Sequence, residues 1–411
     1  MQVLAQQLRS EVTLRKASHL CNDRSLPRVG PEHLEEELDQ EKHEMHYLQL
    51  GMEKWLPHVS ELSFETAAVP LSMADGRLLR QCYAHLHGRT YYDDSSLPTS
   101  SSLPPELVSA LSDLGQRLYP TMKALGADGL GVFGKLSGRS AKDAPLHTAR
   151  LDAALLAQLS EHRAEDDNTR LLCLFEASLA LMRLTEPAAL LWMLINSQRV
   201  DEDLDVALRH PEEWDQAIII RRWWDGVATD LEFRMFVVDG EPTGLTQYNQ
   251  LVYSPRVASR GAAIAAALCE YYKTQVYPKL VSTQFYAAVG GRFTCDLALH
   301  PSALDKLTSS QGNAPLSNED IKLVELNCFY EATGMGLFDY HADSKQLTNG
   351  PFEWKVRKEP VPHVAVKLEN EWRDLLREAG SSPTGFPTRQ LTDDAWQQLS
   401  AALHPIEENG T

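Results

Sequence analysis

The sequence predicts an α+β fold in which two or three lobes share one cleft, and three observations carry that prediction. At 411 residues the chain is longer than a single hydrophobic core usually grows, so more than one lobe is expected. Two strand-like runs, Leu231 to Val238 and Thr243 to Tyr248, are separated by Asp239-Gly240, a dipeptide that favours the tight turn of an antiparallel hairpin. Helical stretches over Glu106 to Leu125, Ala149 to Asn196 and Ala258 to Gln275 flank the strand-forming runs.

In chain order, residues 1–50 are polar and helical in pattern, with Pro31 at a helix start and Glu35, Glu36, Glu37 and Asp39 in its first turns, where the helix dipole favours negative charge. His43 and His46 stand three apart there, but no third ligand is nearby, so they read as a solvated face. Phe64 to Leu71 alternates loosely as a strand ending at Pro70, and Asp75-Gly76-Arg77 reads as a turn before a short helix. Residues 93–105, rich in Ser and Pro, read as a surface loop. The glycine-bearing run from Gly129 to Ser140 invites comparison with a P-loop, but Leu136 follows Lys135 where a Walker A motif needs Ser or Thr. It reads instead as a strand with Lys135 and Ser137 on one face, leading into a flexible loop able to close over phosphates; an ordinary exposed lysine is the other reading.

Arg199 to Trp214 reads as an acidic connecting segment, and Gln216 to Trp224 as a buried strand ending in cations and aromatics. The hairpin that follows places Glu232, Arg234 and Phe236 on one face, where Arg221, Glu232 and Arg234 form either an anion clamp or a set of structural ion pairs. Residues 301–319 read as a loop between two strands, Phe352 to Arg357 as a last short strand, and Glu378 to Thr411 as a polar tail.

The two strands around that loop carry the densest chemistry. In Ile321 to Phe329, alternation groups Leu323, Glu325 and Asn327 on one face and Val324, Leu326 and Cys328 on the other. Arg292 to Leu297 offers Asp296 in the same manner. Buried carboxylates and an amide are costly unless a cation offsets their desolvation, and Mg²⁺ accepts such oxygen donors. A metal site of Asp296, Glu325 and Asn327 serving a nucleotide is therefore one reading, an edge strand with ordinary polar residues the other.

Composition narrows the function. The formal net charge of -18 argues against a general nucleic-acid binder, while leaving a basic protein partner or simple solubility open. Six scattered cysteines without a CxxC pair argue against a zinc ribbon or a disulfide framework and suit a reducing cytoplasm. Met1 to Lys16 lacks a continuous apolar stretch, so a secretory signal is not expected. Leu172 to Ile195 is interrupted by Glu176, Arg183, Glu186 and Pro187 and reads as two buried helices rather than a membrane span.

The order of these parts resembles an ATP-grasp nucleotide site, and more specifically the cell division cycle protein 123 family. Phe133-Gly134-Lys135-Leu136-Ser137, with Ser140 and Asp143-Ala144, stands where that family has a Pro-Lys-Leu-Asn-Trp-Ser-type run closing with Asp-Ala. Ile220-Arg221-Arg222-Trp223 corresponds to its Leu-Arg-Lys-Trp, Glu232-Phe233-Arg234 to its Glu-Phe-Arg, and Gly244-Leu245-Thr246-Gln247 to its Gly-Ile-Ser-Gln. Phe293-Thr294-Cys295-Asp296 and Val324-Glu325-Leu326-Asn327 stand for its Phe-Val-Phe-Asp and Ile-Asp-Phe-Asn, and Trp55-Leu56-Pro57 has a counterpart near its N-terminus. The likeness spans roughly residues 52–358. It departs at Glu325, which replaces an Asp, at Gly138, which replaces a Trp, and at Tyr248, which replaces an Arg.

What the resemblance implies is an ATP-grasp-like, two-lobed fold with antiparallel sheets flanked by helices. It divides the chain into an N-terminal helical extension (1–50), a lobe with the phosphate-loop strand (51–215), a C-terminal ATP-grasp lobe (216–360) and a polar tail (361–411). It implies ATP binding by Lys135, Ser137, Ser140, Asp143, Arg221, Arg222, Trp223, Glu232 and Arg234, with Mg²⁺ on Asp296, Glu325 and Asn327. The implied activity is that of a cytoplasmic assembly chaperone for eukaryotic translation initiation factor 2, acting through its gamma subunit, with no nucleic-acid or membrane partner. The alternative is an ATP-grasp ligase joining a carboxylate to an amine through an acyl phosphate.

Overall fold

The computed structural model describes residues 44–88, 100–144, 149–162, 166–307, 316–330, 333–364 and 393–403. The helix expected from Pro31, His43, much of the loop 93–105, part of the loop 301–319 and most of the C-terminal tail lie outside the described residues. The fold is α+β, with two sheets flanked by helices. The smaller sheet has strand order β1-β3-β2, from Thr66–Pro70 (β1), Val132–Leu136 (β2) and Ala217–Arg222 (β3), all antiparallel. The larger has order β7-β6-β4-β5-β8, from Glu232–Val238 (β4), Glu241–Gln247 (β5), Phe293–Leu299 (β6), Ile321–Cys328 (β7) and Glu353–Lys355 (β8). Only its β5–β8 pairing is parallel. The β4–β5 turn has Asp239 at φ 52 and Gly240 at φ 80, the positive-φ pair that the Asp-Gly dipeptide supplies.

Alternation along β3 divides the apolar interior. Ile218 and Ile220 enter a core with Val132 and Leu136, covered by helices Met73–His87 (α1), Pro105–Leu125 (α2), Pro187–Ile195 (α3) and Gln198–Arg209 (α4). Ala217 and Ile219 face a second core, in which Phe233, Met235, Cys295, Leu297, Leu323 and Leu326 of the larger sheet pack on the helix Gly261–Tyr271 (α5) and on Met52 and Trp55. Because β3 pairs with β1 and β2, it belongs to the smaller sheet and not to the lobe expected at 216–360. Met52 and Trp55 conversely join the larger sheet's core, so no single cut at residue 215 divides the chain.

Three local expectations are corrected. Asp75 and Gly76 lie inside α1: Ser72 Oγ accepts from Asp75 N at 3.1 Å while Asp75 Oδ2 accepts from Ser72 N at 2.8 Å, a capping box rather than a turn. The acidic segment after Arg199 is helix α4, because Asp201 and Asp203 are buried and paired with Arg80 and Arg139, residues remote in sequence. In the expected polar tail, residues Asp393–Leu403 form a helix (α6) whose Ala395, Leu399 and Leu403 complete the smaller lobe's core. Among the described residues, no helix is long and apolar enough to cross a membrane.

Candidate functional site

The site lies where the polar face of the larger sheet meets the smaller sheet. On β4 and β6 the residues Phe233, Met235, Cys295 and Leu297 enter the core, which leaves Glu232, Arg234, Thr294 and Asp296 together on the opposite face. Strand β7 joins them through an irregularity: Asp296 pairs with Glu325 but Leu297 pairs with Leu323, so Val324 is an extra, bulged residue. The bulge reverses the alternation. Leu323 is a core residue with Leu326 and Cys328, and it does not share the face of Glu325 and Asn327 as an unbroken strand would require.

Asp296, Glu325 and Asn327 do converge. The Asn327 amide nitrogen donates to Asp296 Oδ2 at 3.1 Å and to Glu325 Oε2 at 3.4 Å. Arg234 grips Asp296 with two parallel hydrogen bonds, Nε to Oδ1 at 2.8 Å and Nη2 to Oδ2 at 2.7 Å, and its Nη1 donates to the carbonyls of Thr333 and Gly334. Burial opposes the Arg234 charge, but the Asp296 carboxylate holds its pKa above the ordinary value.

Across the cleft, β2 brings Lys135 opposite Ile219 and Phe133 opposite Arg221, and the Lys135 and Arg221 side chains both reach β7. Lys135 is 2% exposed and donates to Glu325 and, at 2.6 Å, to the Gly138 carbonyl. Burial would raise the Glu325 pKa, yet Lys135, assisted by Lys142 and Arg221, holds it at about 2. Lys135 shifts downward, because burial outweighs the attraction of Glu325. Arg221 donates to Val324 O at 2.6 Å, Ser63 Oγ to Leu323 O at 2.7 Å, and both contacts occupy the outer edge of β7. Burial lowers the Arg221 pKa to about 10, and its Nε has no partner among the described residues.

The loop after β2 is tied down rather than free to close. Asp203 accepts from Arg139 N at 2.8 Å and Nε at 2.7 Å, and Asp143 accepts from Ser197 Oγ at 2.6 Å at the N-terminus of α4. A Cβ at Gly138 would crowd the Tyr47 hydroxyl and Asp203 Oδ2, so a larger residue here would need one of them to shift. Ser137 is buried, with its Oγ accepting from Ala217 N at 2.8 Å, and Ser140 is buried in the same loop. Arg222 points away from the cleft, paired with Asp128 at 2.7 Å and Glu65 at 3.0 Å, and Trp223 packs on the smaller lobe's core. The sequence-predicted set therefore divides: Lys135, Arg221, Glu232, Arg234, Asp296, Glu325 and Asn327 meet, while Ser137, Asp143, Arg222 and Trp223 have their side chains engaged in the scaffold.

Sequence reasoning missed three neighbours. Lys142 donates to Tyr248 Oη at 3.1 Å; burial opposes its charge, but Tyr248 and Glu232 hold its pKa above the ordinary lysine value. The Tyr248 ring also lies 4.9 Å beneath the Arg234 guanidinium. Burial raises the Glu232 pKa, with Asp296 and Glu325 adding repulsion and Lys142 and Arg234 opposing it. Thr294, opposite Asn327 on β6, has a buried hydroxyl with no partner among the described residues. A cation two residues beyond Ser140 was a readable signal for Lys142, whereas nothing local marks Thr294.

Chemically, the cleft combines hard oxygen donors on one wall with four cations around them, a pattern suited to a divalent cation and a polyanion. Among the described residues no three His, Cys, Asp or Glu side chains form a metal cage; the oxygen-bearing residue beside Asp296 and Glu325 is Asn327.

The D123 family model matches residues 175–361. Among solved structures, the chain is similar to Cdc123 from Schizosaccharomyces pombe, with 15% identity and a TM-score of 0.47 over 76% of this chain and 96% of that one. It is also similar to a C-terminally truncated Cdc123 from the same organism, with 15% identity and a TM-score of 0.47 over 76% and 97% of the two chains. No curated protein matches the sequence.

Proposed function

We propose that the cleft binds ATP with Mg²⁺ in the manner of an ATP-grasp site, a reading supported by the match of residues 175–361 to the D123 family model. The nucleotide-bound chain then serves in the cytoplasm as an assembly chaperone for translation initiation factor 2, holding its gamma subunit. The observation that carries the nucleotide reading is the contact of Lys135 with Glu325: a lysine outside the family match reaches across the cleft to the oxygen trio inside it. In this reading Asp296, Glu325 and Asn327 hold the metal, which offsets phosphate charge when bound. Lys135, Lys142 and Arg221 present cations to the phosphates, and the partnerless Arg221 Nε and Thr294 hydroxyl are polar groups that a ligand would satisfy.

Isothermal titration with MgATP tests the site, and the expected result is binding by the wild type with a loss of at least roughly tenfold in Asp296→Asn, which keeps an acceptor for Arg234 but removes a charge from the metal. Equal heats in the two proteins would remove Asp296 from the metal. Capture of the gamma subunit by the wild-type chain in MgATP, and weaker capture in EDTA, is expected of the chaperone; no capture in either condition would overturn that part. ATP turnover stimulated by an added amino acid would instead indicate the carboxylate–amine ligase.

A further inference from the structure

The two carboxylates that a metal would use are already committed to cations of the cleft. Lys135 holds Glu325, and Arg234 holds both oxygens of Asp296. Asn327 turns its amide nitrogen, not its oxygen, toward the two carboxylates, as two negative neighbours require.

A divalent cation arriving alone would meet N–H groups and an ammonium. To take Glu325 it must leave Lys135, 2% exposed, as an uncompensated buried cation. A triphosphate arriving alone would find Lys142 and Arg221, but Lys135 and Arg234 are occupied, and Asp296, Glu325 and Glu232 repel it. Joint arrival balances the exchange. Phosphate oxygens take over Lys135 and Lys142, the cation takes over Glu325 with Asn327 turned oxygen-first, and no charge is left buried without a partner.

We propose that the cleft accepts the metal–triphosphate complex only as a unit, and that the Lys135–Glu325 pair is the specificity-determining element that excludes either component alone. This rests on the nucleotide reading above, so the decisive arm of its test contains no nucleotide.

The full chain is titrated with Mn²⁺ in nucleotide-free buffer and free metal is followed by electron paramagnetic resonance. Lys135→Met, which replaces the buried ammonium by an apolar chain of similar length, releases Glu325. It is expected to bind Mn²⁺ tighter than the wild type by on the order of tenfold or more, because a like charge a few ångströms away is removed from a partly desolvated site. The gain is expected to vanish in Lys135→Met/Asp296→Asn, which ties it to this cleft. Should Lys135→Met fail to fold, Glu325→Gln supplies the reciprocal arm: with Lys135 released, ATP in EDTA is expected to bind on the order of tenfold tighter than to the wild type. Wild-type affinity for Mn²⁺ equal to that of Lys135→Met, or a gain that survives Asp296→Asn, overturns the proposal. A wild type that binds no nucleotide even with Mn²⁺ present overturns the nucleotide reading instead, and the metal-only comparison distinguishes the two failures.

Discussion

Truncation of Asp296 to alanine is the sharpest perturbation of this cleft. Asp296 is 0% exposed and Arg234 5% exposed, so the substitution removes one half of a fully desolvated ion pair. The guanidinium keeps the Thr333 and Gly334 carbonyls but loses the acceptors of Nε and Nη2. Breaking a buried pair from one side costs about 3–5 kcal/mol, and the two retained carbonyls place the expectation near the lower end, about 3 kcal/mol. Replacing both partners with apolar residues, in Arg234→Met/Asp296→Leu, abolishes the orphaned charge and is expected to return stability to within about 1 kcal/mol of the wild type. Urea unfolding at neutral pH, followed by tryptophan fluorescence and extrapolated linearly, measures all three proteins. A loss below about 1 kcal/mol in Asp296→Ala, or a double variant as unstable as Asp296→Ala, would refute the reasoning.

Other consequences are directly measurable. Gly138→Ala places a Cβ 2.1 Å from Tyr47 Oη and is expected to cost about 1–3 kcal/mol in thermal or urea unfolding; Tyr47→Phe in the same chain should recover part of that, and no recovery would mean the clash is not with the hydroxyl. Because the Glu325 pKa is lowered from 4.5 to about 2, its folded-state charge stabilises above the unfolded pKa, and that contribution is lost as pH falls from about 4.5 toward 2. The melting-temperature advantage of wild type over Glu325→Gln should therefore shrink between pH 7 and pH 3.5, and a constant difference would contradict it. Leu399→Ala, in the helix that closes the smaller lobe's core, is expected to cost about 2–5 kcal/mol, whereas a residue in a solvated tail would cost less than about 0.5 kcal/mol.

Several features were legible because their causes are local. The Asp239-Gly240 hairpin follows from the backbone preferences of two residues, and the common face of Glu232, Arg234 and Phe236 follows from the period of a regular strand. Asp296 and the Glu325/Asn327 pair could be proposed as neighbours because each stands on a short apolar strand that must bury its other face. The phase of β7 was not legible: Leu323 to Cys328 reads as an unbroken alternation with Val324, Leu326 and Cys328 on the apolar face, and only pairing with β6 shows that Val324 is bulged out and Leu323 is in the core. Helix α4 was likewise hidden, because its acids look solvated until Arg80 and Arg139 are seen to neutralise them.

By itself, then, the sequence determined the strands, the hairpin and which oxygen-bearing side chains are available to one sheet face, since these depend on interactions between residues close along the chain. Tertiary structure alone decided that Lys135 meets Glu325 across 190 residues, that Arg222 and Asp143 serve the scaffold, and that α6 completes a core. Those outcomes depend on desolvation and charge pairing, whose energies are set by which distant groups share a buried space.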